Sequence, residues 1–198
     1  MRQVHEKRGR SEYAILGMLT LGPMSGYDIH QLMQRTTAHF WSESFGQIYP
    51  ALGRLSDQRL VKVHSQRRSG RDRQVCSITS RGRAHLRRWL KAPPAPQPLR
   101  NELLLKLFFG RHGPAETAAQ HVQDFRENEA RDLRLYETME AEISRTYANH
   151  PDLPYWGIAL HYGRILCEAN VRWCDATLGA LYGLSGKRNV TGQNRKRP

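Results

Sequence analysis

Gln47, Tyr49 and Arg54 sit in a stretch whose apolar residues, Ile48, Leu52 and Leu55, recur at helical spacing. That spacing turns the apolar side inward and leaves Gln47, Tyr49, Pro50, Gly53 and Arg54 facing outward. A glutamine amide can both donate to and accept from an adenine edge, and an arginine suits a guanine edge or a phosphate. Ser44 stands where an N-cap belongs, with Gln47 three residues on as its capping-box partner. The helix start at Ser44 and Gly46 would also offer backbone N–H groups to a phosphate. Further along, residues 66–73 read Gln-Arg-Arg-Ser-Gly-Arg-Asp-Arg, so Arg67, Arg68, Arg71 and Arg73 crowd one connection. Such a cluster would lie along a phosphate backbone or a minor groove, contacts that position a protein more than they read sequence. The competing reading is a solvated Arg-rich turn beside a helix face that meets only water.

The elements needed to position these residues can be read from the same stretch. Ser11 can cap a first helix carrying Ile15, Leu16 and Leu19, which Gly22-Pro23 stops. Ser25 and Asp28 form a capping box for a second helix with Ile29, Leu32 and Met33 on its buried side. Pro50 complicates the third helix, because with Ser44 as N-cap its ring would meet the carbonyl of Gly46. That helix either starts nearer Gly46 or kinks. Val61–Ser65 and Gln74–Ile78 then read as two strands of a hairpin, with residues 66–73 as its loop. Thr79 caps a fourth helix through Leu86, Trp89 and Leu90. Three helices, a basic hairpin and a helix are the order of a winged helix-turn-helix, whose third helix fits the major groove of B-DNA.

The second half reads differently. Ala92-Pro-Pro-Ala-Pro-Gln-Pro98 holds four prolines in seven residues, an extended spacer rather than a helix. Beyond it lie a short apolar helix over 99–109 and a helix of about thirty residues from Pro114 towards Tyr147. The latter carries Ala118, Val122, Phe125, Tyr136, Met139 and Ile143 on one face. A last helix over about 155–182 is striped by Trp156, Leu160, Gly163, Cys167, Cys174, Leu178 and Leu181. Two such helices in so small a segment predict pairing with another chain, the alternative being an intramolecular hairpin packed on the first domain. The expected fold is mainly α with a small β-hairpin: a winged helix-turn-helix at 11–91 and a helical dimerisation domain at 99–184. A basic arm (1–10), a Pro-rich linker (92–98) and a disordered basic tail (185–198) complete the reading.

Charge follows this division. Of the net +13, residues 1–92 hold 17 Lys+Arg against 6 Asp+Glu, 93–184 hold 9 against 12, and 185–198 hold 5 against none. A basic excess confined to one half and a tail is the footprint of a polyanion partner, since neutralising phosphates releases counterions. No apolar run is long enough to span a bilayer, and the basic N-terminus lacks a signal's apolar core, so a cytoplasmic protein is expected. Cys76, Cys167 and Cys174 form no close pair, so neither metal site nor disulfide is expected. Gly22-Pro-Met-Ser-Gly26 is not a nucleophile elbow, and no Walker or dinucleotide glycine motif occurs, which argues against an enzyme and any cofactor.

Several motifs together resemble the PadR family of transcriptional regulators. They are Tyr13-Ala-Ile-Leu-Gly-Met-Leu19, Gly22-Pro-Met-Ser-Gly-Tyr-Asp28, Phe40-Trp-Ser-Glu-Ser-Phe-Gly-Gln-Ile-Tyr-Pro-Ala-Leu-Gly-Arg-Leu55 and Thr79-Ser-Arg-Gly82. Asn101-Glu-Leu-Leu-Leu-Lys-Leu-Phe-Phe109 resembles the start of the larger C-terminal domain of the phenolic-acid-responsive repressors and the virulence activator. The resemblance covers about residues 11–184. It implies a homodimeric repressor, joined through the C-terminal helices, that binds an inverted repeat in double-stranded DNA. Gln47, Tyr49 and Arg54 would then enter the major groove, the Arg67–Arg73 loop would lie alongside, and Tyr27 would sit near the phosphate backbone. It also implies a small aromatic or lipophilic effector between the domains, for which Phe40, Trp41, Trp89 and Trp156 are candidates; ordinary core packing is the other reading of these four. Gly53 and the Arg-rich wing depart from common members. The alternatives are an activator without an effector, or a helical protein-interaction module with a non-specific basic half.

Overall fold

In the computed structural model the backbone is described for residues 2–68, 71–96 and 100–193, and side chains for 10–65, 73–96 and 100–183. The chain divides into two compact units, Met1–Pro96 and Gln97–Pro198.

The N-terminal unit contains α1 (Arg2–Met18), α2 (Gly26–Thr36), α3 (Phe45–Asp57), β1 (Val61–Arg68), β2 (Arg71–Ile78) and α4 (Ser80–Leu90). Ile15 and Leu16 of α1, Ile29 and Met33 of α2, and Ile48 and Leu55 of α3 are completely buried together. Leu60, Val61, Cys76 and Leu86 close this core from the hairpin and α4. α1 begins at Arg2, well before the Ser11 cap that the sequence suggests, and Ser11 is a buried residue inside it. Residues 2–10 hold Gln, Glu, Lys and Arg and no proline, so nothing stops the helix there. Residues 2–10 of the basic arm expected at 1–10 therefore belong to α1.

α3 ends in a Schellman motif. Arg59 takes φ 57°, its N–H bonds to the Ser56 carbonyl (2.8 Å), and the Leu60 N–H reaches back to Leu55 (2.8 Å). This turn aims the chain out of α3 into β1. The Leu60 carbonyl then accepts from both the backbone and the hydroxyl of Thr79, each at 3.0 Å. Gly82 packs so tightly against that carbonyl that a Cβ there would stand 2.2 Å from its oxygen. The Thr79-Ser-Arg-Gly82 motif is thus the clamp that fixes α4, and with it the hairpin, to the end of α3. β1 and β2 pair antiparallel from Val61↔Ile78 out to Arg68↔Arg71. The strands take in most of the residues expected as loop, since 66–73 contain no proline to end the pairing. Met24 adds a bridge to Cys76 (3.0 and 2.8 Å), which ties the hairpin's base to the start of α2.

The C-terminal unit contains α5 (Glu102–Phe108), a short 3₁₀ turn (Gly110–His112), α6 (Ala115–Thr146) and α7 (Leu153–Gln193). α6 and α7 pack on each other around two small clusters. One joins Ala119 and Val122 to Cys174 and Leu178, the other Tyr136 to Leu160 and Cys167. Polar ties run between them: Arg126 to Asp175 (2.5 Å), Asn170 to Glu129 (3.0 Å), and Arg164 to Glu140 (3.6 Å) and Glu168 of its own helix. Ala119 is buried and Ala118 only partly so, while the expected Val122, Phe125, Tyr136, Met139 and Ile143 all lie in these clusters. The backbone of α7 continues to Gln193, past the start at 185 expected for a disordered tail. No proline interrupts 185–193, so the helical ladder can continue.

Candidate nucleic-acid interface

α2 and α3 each begin at a capping box, and the two starts lie side by side. At α2 the Ser25 backbone N–H and hydroxyl both donate to Asp28 Oδ2 (3.0 and 2.9 Å). At α3 the Ser44 N–H and hydroxyl both donate to Gln47 Oε1, each at 2.9 Å. Pro50 sits inside α3 without ending it. Its missing N–H leaves the carbonyl of Gly46 unpaired within the helix, which solvent can satisfy because Gly46 is exposed.

Ile48, Ala51, Leu52 and Leu55 face the core, and Gln47, Tyr49, Pro50 and Gly53 are exposed, as the periodicity requires. Tyr49 and Tyr27 are each more than half exposed. Gly26 lets the two helices come this close: a Cβ there would stand 2.8 Å from the Tyr49 ring. Phe45 joins the two tyrosines, its ring centroid 6.1 Å from Tyr27 and 6.3 Å from Tyr49, and it stacks on His30 at 4.0 Å. The result is a continuous aromatic surface across the starts of α2 and α3. Phe45 and His30 are absent from the residues singled out by sequence. The signal was there as Phe45–Tyr49 at i,i+4 and Tyr27–His30 at i,i+3, spacings that bring rings together on a helix.

The polar candidates are committed elsewhere. Arg54 is half-buried rather than free, its Nε bonding Glu12 of α1 at 2.6 Å. Glu12 lies in the part of α1 that the periodicity of α3 alone could not place next to it. Gln47 cannot accept freely from a base, because Oε1 already receives two hydrogen bonds; bidentate pairing with adenine would first have to break the cap. Arg73 donates to Asp28 Oδ1 (2.8 Å), and its guanidinium lies 5.9 Å from the Tyr27 ring centroid. Burial works against ionisation of Asp28, but hydrogen bonds from Ser25 and Arg73 and the charge of Arg73 outweigh it and hold the carboxyl below its usual value. The hairpin, α2 and its cap are therefore one connected piece. The side chains of Arg67, Arg68 and Arg71 lie outside the described residues; their backbones belong to β1 and β2, near the hairpin's tip.

Phe40, Trp41 and Trp89 do come together. With Tyr13, Met18, Leu86 and Leu90 they line an apolar concavity of about 370 Å³ in the N-terminal unit. Trp89 stacks on Tyr13 (4.8 Å), and Trp41 Nε1 donates to the buried Glu43 (2.9 Å). Trp156 is not in this group. It belongs to the C-terminal unit, stacked on His150 (4.6 Å) and edge-on to Tyr147 (5.6 Å).

The three cysteines are buried and unbridged. Burial, with Glu129 nearby, pushes the Cys167 thiol up to about 12. Among the described residues no helix is long and apolar enough to cross a membrane, and no group of side chains has metal-ligand geometry.

Residues 15–88 match the "Transcriptional regulator PadR-like family" and residues 99–182 the "Virulence activator alpha C-term" family. The negative transcriptional regulator PadR of Bacillus subtilis is 33% identical over 100 residues, a match covering 50% of this chain and 55% of that protein. This chain thus spans little more than half the length of that relative. A protein of Mycobacterium tuberculosis described as a "probable transcriptional regulator" is 28% identical over 85% of this chain and 96% of its own length. The fold matches Bacillus subtilis PadR solved with operator DNA (TM-score 0.75, 24% identity, 86% of this chain and 98% of that one). It also matches the Vibrio cholerae virulence activator AphA (TM-score 0.70, 24% identity, 88% and 99%). Both are winged helix-turn-helix proteins with a helical C-terminal region, named as regulators rather than enzymes. With its capped α2 and α3, its hairpin and its long α6–α7 pair, this chain is similar to the PadR-like transcriptional regulators over residues 15–88 and to the virulence-activator C-terminal family over residues 99–182.

Proposed function

We propose that this protein is a cytoplasmic homodimeric repressor that binds an inverted repeat in duplex DNA. The start of α3 enters the major groove and the β1–β2 hairpin lies along the flanking phosphates. The observation that carries this reading is the exposed face at the starts of α2 and α3, joined through Arg73–Asp28 to a hairpin bearing Arg67, Arg68 and Arg71. Residues 11–91 are the DNA-binding domain, 92–98 the linker and 99–184 the dimerisation domain. Tyr155, Ile158, Tyr162, Ile165 and Leu166 leave apolar surface exposed on α7, each of the first three about 70% accessible, and a second copy of α7 is its partner. The concavity beside Trp89 is the effector site, and its apolar lining suits a small aromatic molecule. In Bacillus subtilis PadR a complex with p-coumaric acid is known.

Footprinting on the protein's own upstream DNA tests this reading. The expected result is two protected half-sites related by a two-fold axis, about one helical turn apart or a multiple of it. A promoter fusion then separates repression from activation, the second outcome being the one suggested by the virulence-activator match of the C-terminal unit.

A further inference from the structure

We infer that Phe45 reads the 5-methyl group of a thymine in each half-site, so that part of the sequence specificity is apolar. This rests on the DNA-binding reading above and adds a specificity-determining residue to it. Three observations lead there. First, the polar side chains suited to base edges are partly engaged within the protein: Gln47 Oε1 by Ser44, Arg54 Nε by Glu12 and one Arg73 Nη by Asp28. Second, Phe45 is the first residue of α3, the end of a recognition helix whose side chains meet base edges, and its ring is 40% exposed. It is not part of the buried core of this unit. Third, the ring is held rather than loose. It lies on His30 at 4.0 Å and 22°, with the Tyr27 and Tyr49 rings near-parallel to it at 6.1 and 6.3 Å, and the double hydrogen bond at Ser44 fixes the turn beneath it. A fixed apolar surface at that place matches the one apolar group a base pair shows in the major groove, the thymine methyl.

The test uses the full-length protein and its footprinted operator, with each thymine in turn replaced symmetrically by deoxyuracil, which removes only the methyl. Fluorescence anisotropy should find one position per half-site where wild type loses affinity, about fourfold for each buried methyl and roughly fifteenfold for the symmetric pair. Phe45→Ala should lose a similar amount on the intact operator and no longer distinguish thymine from uracil there. Phe45→Leu, which keeps apolar surface, should retain part of the discrimination. A wild type that binds the operator equally well with every uracil substitution overturns the inference, as does a Phe45→Ala protein that keeps the full wild-type preference for thymine. A protein that binds no operator at all overturns the DNA-binding reading as well.

Discussion

The two units bury their apolar residues to different degrees. Among the described residues of the N-terminal unit seven side chains from three helices are completely shielded, and the hairpin and α4 close over them. Among the described residues of the C-terminal unit only Val122 and Cys174 reach that state, the clusters are small, and Ile158, Tyr162 and Ile165 of α7 stay exposed. The first unit completes its own core and spends exposed aromatic surface at the starts of α2 and α3. The second holds its helices together partly through ion pairs and leaves an apolar stripe. In the proposed reading the first surface meets the nucleic acid and the second meets a copy of itself.

The largest effect should come from the sealed core. Ile48→Ala removes a completely buried side chain from the contact between α3 and α1–α2 and should cost about 2–5 kcal/mol. Calorimetry should show the loss in one transition while the other keeps its midpoint; a joint shift would mean the units do not melt separately. Next in size, Ile158→Glu with Ile165→Glu places charge on the α7 stripe and should weaken self-association by roughly 2 kcal/mol or more. Light scattering should then give the monomer mass with the first transition unmoved. A double variant that stays dimeric would place the interface elsewhere.

A smaller effect is expected where the hairpin meets α2. Arg73→Ala should cost under about 1 kcal/mol, because the pair with Asp28 is partly exposed and screened. The sign of its pH dependence follows from Asp28. Its carboxyl is held below the usual 3.8, so the stability it adds is present above that value and is lost as pH falls through the lower, folded one. Acid titration should therefore loosen wild type below about pH 4, whereas Asp28→Asn should lack that component. Smallest of all, Arg59→Gly relieves a positive φ and should stabilise by at most about 1 kcal/mol, measured by urea unfolding.

Much of this was legible in the sequence because it is local. The Ser25–Asp28 and Ser44–Gln47 boxes, the inward set on α3, the Thr79 cap and the Leu160, Cys167, Cys174 and Leu178 stripe of α7 that packs on α6 all follow from spacing within one element. What was not legible depends on contacts between elements. Arg54 reads as outward on α3 alone and meets Glu12 only once α1 packs beside it. Arg73 pairs with Asp28, 45 residues away, through the antiparallel return of β2. Phe45 falls at the border of the α3 apolar set, and that its ring stays partly exposed on the surface follows from the neighbouring helix that supplies His30 and Tyr27. Trp156 was grouped with Phe40, Trp41 and Trp89 by residue type, yet it lies in the other unit.

In the proposed function the face built by α2, α3 and the hairpin binds specific duplex DNA. Anisotropy titrations of the full-length protein against its own upstream duplex and a shuffled duplex of equal length, across a salt series, test it most directly. Affinity for both should fall steeply with salt, by about 10³-fold or more between 50 and 200 mM if six or more phosphates are contacted, with the upstream duplex bound at least about 10³-fold more tightly throughout. Equal affinity for the two duplexes, or binding indifferent to salt, would contradict the claim.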